Sequence, residues 1–135
     1  MSNVFLDTNV MIDFLESTRP NHQKAQDLVE SLLKDNHKIV ISENSLSDIA
    51  YICRNSDIDA LISIFEELTF EPSIIIASFG VQAIRNACSS YKRYKGDFED
   101  YLQYFCAEKE SCVVIYTSDV NFPQIAIPVK GYDFP

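Results

Sequence analysis

"VFLDTNVMID", residues 4–13, opens with Val4, Phe5 and Leu6, sets a carboxylate, a hydroxyl and an amide at Asp7, Thr8 and Asn9, and then turns apolar again. Three apolar residues without polar alternation suit a strand covered on both faces. The D-T-N triplet after them has two physical readings. Its side-chain oxygens can accept from the free N–H groups of a following helix, as N-caps do. A carboxylate at the carboxyl end of a strand also stands where open α/β sheets hold their ligands. Either way, a strand is expected at about 3–6 and a short helix at about 9–16.

Working outward, Pro20 leads into a longer helix at about 21–34, and a strand follows at 38–41. From Ser42, the spacing of Leu46, Ile49, Ala50 and Cys53 gives a helix with one apolar face through about Arg54. Asp57 or Ser56 caps a helix over 58–68, striped by Ile58, Leu61, Ile62, Phe65 and Leu68. "IIIA", 74–77, reads as extended and leads to a helix at about 79–90. After Gly96, the residues Phe98, Leu102, Phe105 and Cys106 mark a helix over 97–110. "CVVIYT", 112–117, is a β-branched strand, and "AIPV", 126–129, a last short one. Strands alternating with helices imply an α/β fold, its mostly parallel sheet covered by helices on both faces. With three glycines and no repeat, low-complexity tract or linker, residues 1–135 are expected to form a single domain.

The apolar residues come in short runs, far from the ~20 of a membrane span. No basic segment followed by an apolar stretch stands at the N-terminus, so a cytoplasmic location is expected, with no membrane partner. Cys53, Cys88, Cys106 and Cys112 share no C-x-x-C spacing and have no His neighbours at zinc-finger distance; they read as reduced core thiols. Twenty acidic against 11 basic residues give a formal charge of −9, which by itself argues against a nucleic-acid partner. That argument weakens if carboxylates gather divalent cations, because the cations reverse the local field. One basic run exists, Lys92, Arg93 and Lys95, interleaved with Tyr91 and Tyr94. It reads either as a solvated helix end or as a contact for phosphates and unpaired bases.

Four places far apart in the chain put carboxylates at the ends of expected elements: Asp7, Asp48, the Asp97/Asp100 pair and Asp119. Asp48 lies off the apolar stripe of its helix, near its start. Asp97 and Asp100, three apart, share a helix face. Gathered in one cleft these charges call for hard cations with oxygen ligands, Mg²⁺ or Mn²⁺. Each also has a plainer reading: Asp48 as a solvated helix carboxylate, Asp97 and Asp100 as first-turn acids favoured by the helix dipole, Asp119 as the cap of a short helix at 120.

The motifs themselves carry a resemblance. "VFLDTNVMIDFL" (4–15) resembles the opening of PIN-domain nucleases, including VapC-type toxins, in which a strand ends in Asp-Thr-Asn before a helix. "ISENSLSDIAYI" (41–52) is similar to their second motif, with Ser42 and, six residues later, Asp48; "DFEDYL" (97–102) resembles the third. "YTSDVNF" (116–122) resembles the fourth through Thr117, Asp119 and Phe122. Order and spacing hold over nearly the whole chain. Two departures are visible: Asp48 stands where Glu is usual, as in a subset of the family, and Tyr101 follows the third-motif acid where many relatives have a small residue.

The resemblance implies a PIN-like three-layer α/β/α sandwich and a metal-dependent ribonuclease acting on single-stranded RNA, the toxin of a toxin–antitoxin pair. It sets Asp7, Asp48, Asp100 and Asp119 at the family's metal ligands, with Asp97 as an additional or substitute one among the catalytic acids. Thr8, Asn9, Thr117 and Ser118 become donors that orient the carboxylates. Thr8 or Asn9 is then expected to cap the helix, leaving Asp7 free for metal. Mg²⁺ or Mn²⁺ would activate water and stabilise charge on the phosphate, so that no His or Lys base is needed. A homodimer and a small antitoxin, inserting an Arg or Lys into the acidic site, are the implied partners. Two other functions fit less of the chain: a PIN-like RNA- or protein-binding module without catalysis, and a receiver-like phosphoacceptor domain.

Overall fold

The computed structural model describes residues 2–133, and its centre is the opening strand, β1 (Asn3–Leu6). After β1 come α1 (Thr8–Leu15), α2 (His22–Lys34), β2 (Lys38–Ser42), α3 (Glu43–Ile52), α4 (Ile58–Phe70), β3 (Ile74–Ala77), α5 (Gly80–Tyr94), α6 (Phe98–Lys109), β4 (Val114–Tyr116) and β5 (Val129–Lys130). All strand pairings are parallel, in the order β3-β2-β1-β4-β5. The sheet is thus parallel throughout, as its unbroken apolar strands require.

Period-two alternation of side chains divides the core into the expected two faces. Val4 and Leu6 of β1 join Ile39 and Ile41 of β2 in a cluster with Val10, Val29, Ile49 and Leu61, supplied by α1 to α4. Phe5, Val40 and Ile115 point the other way, onto Tyr104, Ala107 and Phe122. Each fully buried side chain of this kind contributes roughly 1.5–3 kcal/mol relative to exposure. The result is the three-layer α/β/α sandwich.

Local chemistry sets the element ends. Ser42 Oγ accepts from Ser45 N at 3.1 Å and starts α3; Asp57 Oδ1 accepts from Ala60 N at 3.1 Å and starts α4; Asp97 Oδ1 accepts from Glu99 N at 2.9 Å and starts α6. α5 runs to Tyr94, beyond the expected end at 90, and stops where Lys95 takes a φ of 59° and Gly96 one of 97°. The left-handed region breaks the helix, and glycine occupies it without strain. β4 is confined to Val114–Tyr116, shorter than the predicted 112–117, and β5 begins only at Val129. The "AIP" segment, read as strand, instead donates Ala126 N and Ile127 N to the buried Tyr104 hydroxyl, at 2.9 and 3.1 Å. No helix forms at 120; Asp119 Oδ1 accepts from Asn121 N in a turn.

Two stripes also shift. Ile62 is exposed, and α6 turns Tyr101, Tyr104 and Ala107 to the core while Phe98 reaches solvent. Both tyrosine hydroxyls find partners inside, which lets the rings be buried. All four cysteines are free thiols, and burial pushes those of Cys53 and Cys106 up to about 11 and that of Cys112 to about 12. No helix among the described residues is long and apolar enough to cross a membrane.

Candidate active site

Parallel strands bring their carboxyl ends to one edge. At the middle of that edge the chain leaves β1 for β2 on one side, while β4 lies on the other, the switch point where α/β sheets open a crevice. A cleft of about 650 Å³ lies there, lined by six carboxylates: Asp7, Asp48, Asp97, Glu99, Asp100 and Asp119. All five acids singled out in the sequence are in it, and among the described residues no histidine, lysine or arginine lines it.

Asp7 follows β1, and its backbone N–H continues the sheet by donating to Tyr116 O at 2.9 Å. Its Oδ1 accepts from Thr8 N at 2.9 Å, and its Oδ2 accepts from the Thr117 hydroxyl at 2.9 Å. Asp7 itself is therefore the N-cap of α1, and the expectation that Thr8 or Asn9 would take that role is overturned. A cap is held by one oxygen, so capping and facing the cleft coexist. The carboxyl is only 4% exposed. Burial raises its pKa above the ordinary carboxylate range, against the two hydrogen bonds, and the Asp119 and Asp97 charges add to the rise.

The other acids fall into two groups. Asp100, on the first turn of α6, is pushed up to about 7 by burial and by the charges of Asp7, Asp97 and Asp119, and it lies close enough to Asp119 to share a proton. Glu99, its neighbour on the helix, turns toward α3 and is also raised to about 7, first by a proton shared with Asp48 and then by burial. Asn44 Nδ2 reaches both members of this second pair, Asp48 Oδ2 at 3.3 Å and Glu99 Oε1 at 3.4 Å. Among the described residues no three of the acids close around one point. What they share is a field negative enough to hold protons near neutral pH, and hard oxygen donors in that field fit a divalent cation.

Of the four expected orienting residues, Thr117 acts directly, through its bond to Asp7. Asn9 acts through it: Asn9 Nδ2 donates to Thr117 Oγ1 at 3.4 Å, and Asn9 Oδ1 accepts from Ser118 N at 3.1 Å. Ser118 thus contributes its backbone. The Thr8 hydroxyl turns away from the carboxylates into a buried network, pairing with Ser45 Oγ at 2.6 Å, which in turn pairs with Ser42 Oγ at 3.0 Å. Gln103 Nε2 donates to Thr8 Oγ1 at 2.9 Å and to Ser45 Oγ at 3.0 Å. Thr8 adjoins Asp7, Ser45 precedes Asp48 by three residues, and Gln103 follows Asp100 by three. One network therefore ties together the three segments that carry most of the acids.

Residues 4–128 match the family model of the PIN domain. The chain belongs to the PIN-domain family. Ribonuclease VapC1 of Aquifex aeolicus is 29% identical over 121 residues, spanning 88% of this chain and 83% of its own. The VapC20 toxin of Mycobacterium tuberculosis, described as cleaving the sarcin-ricin loop, has the same fold with a TM-score of 0.74 at 14% identity, over 88% of this chain and 92% of its own. A toxin–antitoxin complex from Klebsiella pneumoniae gives 0.72 at 15% identity, over 96% and 97%. VapBC2 from Rickettsia felis, bound to a promoter DNA fragment, gives 0.71 at 18%, over 96% and 98%. These likenesses leave no place for the receiver-like reading.

In this PIN domain, sequence reasoning missed Glu99, Asn44 and Gln103. Glu99 stood in plain view inside "DFED": adjacent helix residues point about 100° apart, so of two neighbouring acids at a cleft one can face each wall. Asn44, four residues before Asp48, was also findable, since that spacing places it on the same face. Gln103 had no signal, because its meaning depends on two hydroxyls from distant segments. Tyr101 does not crowd the acids; it is buried, and its hydroxyl donates to Lys95 O at 2.5 Å.

Proposed function

We propose that this PIN domain is a divalent-metal-dependent endoribonuclease that hydrolyses single-stranded RNA to leave 5′-phosphates, and that it is the toxin of a toxin–antitoxin pair. The observation that carries the reading is the set of six carboxylates at the carboxyl edge of β1 and β4, with no cationic side chain among them. Such a cleft cannot receive a phosphodiester by itself. Mg²⁺ or Mn²⁺ held there supplies both the charge reversal and the activated water that phosphodiester hydrolysis needs at neutral pH.

Asp7, Asp100 and Asp119 are the residues assigned to the main ion. Thr117 and the Thr8 backbone N–H each hold one oxygen of the Asp7 carboxylate and fix its plane, so the lone pairs those oxygens keep are oriented before an ion arrives. Asp48 and Glu99, bridged by Asn44, with Asp97 beside them, would hold a second ion or a water. The Lys92, Arg93 and Lys95 segment draws RNA phosphates to the rim. A small antitoxin placing an Arg or Lys among these acids would switch the enzyme off by charge pairing. The domain acts as a homodimer in the cytoplasm on this reading.

The test is cleavage of single-stranded RNA by purified protein with Mg²⁺, Mn²⁺ or a chelator. Metal-dependent cleavage is expected, with a loss of at least about 100-fold in Asp7→Asn, beyond what removal of an outer-shell partner typically costs. Asparagine caps helices as well as aspartate, so that variant keeps its stability to within about 1 kcal/mol. Full activity in Asp7→Asn would sink the metal-site assignment. An inactive wild type with both metals would leave a binding module.

A further inference from the structure

The acidic cleft repels a polyanion except where its rim turns basic. The end of α5 carries Lys92, Arg93 and Lys95, all exposed and, among the described residues, without an acidic partner; Arg19, Lys24 and Lys109 each have one. Just past that rim lies a second cleft, of about 660 Å³, between the last turns of α5 and the loop after β4. α5 contributes Ser90, Arg93 and Tyr94, and the loop contributes Pro123, Gln124 and Ile125. Tyr101 also lines it, one residue from Asp100. Its hydroxyl holds the Lys95 carbonyl, and a side chain at Gly96 would meet that hydroxyl at 3.6 Å. Adjacent residues of α6, Asp100 and Tyr101, thus line the acidic cleft and this second one.

The chemistry of this second cleft is that of a base site rather than a metal site. Tyr94 is 63% exposed, with the Arg93 guanidinium 5.2 Å from its ring centroid, and Ile125 is half exposed. An aromatic face, two apolar side chains, an amide and a hydroxyl suit a planar heterocycle with polar edges, and the guanidinium suits the phosphate beside it. We propose that this cleft takes an unpaired nucleobase of the RNA strand being cut, with Tyr94 stacking on the base and Arg93 engaging its phosphate. The proposal rests on the ribonuclease reading and deepens it by naming a base-selecting site on the α5 side of the acids.

The test uses fluorescent 12-mers of rA, rU and rC and an abasic 12-mer, bound to the chain with Mg²⁺ and read in a stopped-flow mixer before cleavage. Tyr94→Ala is expected to weaken binding of at least one base-bearing oligomer by about 5- to 150-fold and leave the abasic one unchanged, with Tyr94→Phe restoring the wild-type value. Arg93→Gln is expected to weaken all four alike and to reduce the slope of log Kd against log salt by about 0.7. Equal losses on base-bearing and abasic oligomers in Tyr94→Ala overturn the stacking assignment. So does a change in molecular mass by sedimentation, which would make the cleft a self-association surface. If the wild type cleaves RNA but Tyr94→Ala binds every oligomer as before, the base site alone falls. If the wild type neither binds nor cleaves with Mg²⁺ or Mn²⁺, both readings fall.

Discussion

Replacing Gln103 by leucine separates stability from activity in a way the buried network makes calculable. Gln103 is fully buried, its Nε2 donates two hydrogen bonds, and its Oε1 has no partner among the described residues. The two bonds contribute about 0.5–1.5 kcal/mol each, and the unpartnered carbonyl costs about 1–3 kcal/mol. Thr8, Ser45 and Ser42 keep their bonds to one another, so the substitution orphans none of them. Leucine nearly fills the same volume with apolar atoms. The net change is therefore within about 1 kcal/mol, a Tm shift of about 4 °C for a chain of this size. Alanine, by contrast, leaves a cavity and costs roughly 2–4 kcal/mol. Activity should behave differently, because the amide is the only link from α6 to both α1 and α3 in this network. Without it α6 is no longer tied to Thr8 beside Asp7, and only the longer Asn44 contacts to Asp48 and Glu99 still link it to α3, so a loss of about 10-fold or more in cleavage or metal affinity is expected. Calorimetry, with cleavage rates over a Mg²⁺ titration, measures both. Gln103→Leu with wild-type rates at every metal concentration would refute the reasoning, as would a destabilisation beyond about 3 kcal/mol.

Three further outcomes are expected. Glu99 and Asp100 hold their protons to about 7 in the folded chain but titrate near 4.5 and 3.8 when unfolded, so their contribution to stability is whole below pH 4 and lost as pH rises through 7. Metal-free protein should then melt at lower temperature at pH 8 than at pH 5, and MgCl₂ should raise Tm more at pH 8; the opposite order in a thermal scan contradicts the field described. Arg93→Glu with Lys95→Glu should lower RNA cleavage at low salt more than at high salt, and an unchanged rate removes the α5 end from substrate binding. Tyr104→Phe takes the shared acceptor from Ala126 N and Ile127 N, at a cost of about 1–3 kcal/mol in urea unfolding, and no change there would show that water replaces the hydroxyl without loss.

The order of elements was legible in the chain because most of it is dictated locally. β1, α1, α2 and β2 fall within a residue or two of their expected bounds, since their apolar periods are unbroken and their ends are marked by Asp7, Pro20 and Ser42. The C-terminal third was less legible. "AIPV" has the apolar character of a strand, but its first residues satisfy their N–H groups on Tyr104, 22 positions earlier, and nothing local records that. α5 overran its expected end because its last turn, "YKRY", is polar on every side, where periodicity has nothing to count.

The acids divide in the same manner. The sequence by itself determined which carboxylates lie at element ends, and through the four motifs it assigned Asp7, Asp48, Asp97, Asp100 and Asp119 to one cleft. For Asp7, Asp48 and Asp119 convergence follows from parallel strands, whose carboxyl ends share one edge; Asp97 and Asp100, which follow α5 and not a strand, are brought there by the packing of α6. Which acid faces which was decided only by tertiary structure: Glu99 meets Asp48, Asp100 meets Asp119, and Asp7 both caps α1 and lines the cleft. Those pairings depend on the rotation of α6 against α1 and α3, which is set by the packing of Tyr104 and Ala107 in the core and by a buried amide bonded to hydroxyls 58 and 95 positions away in the chain. A local pattern cannot carry a bond of that span.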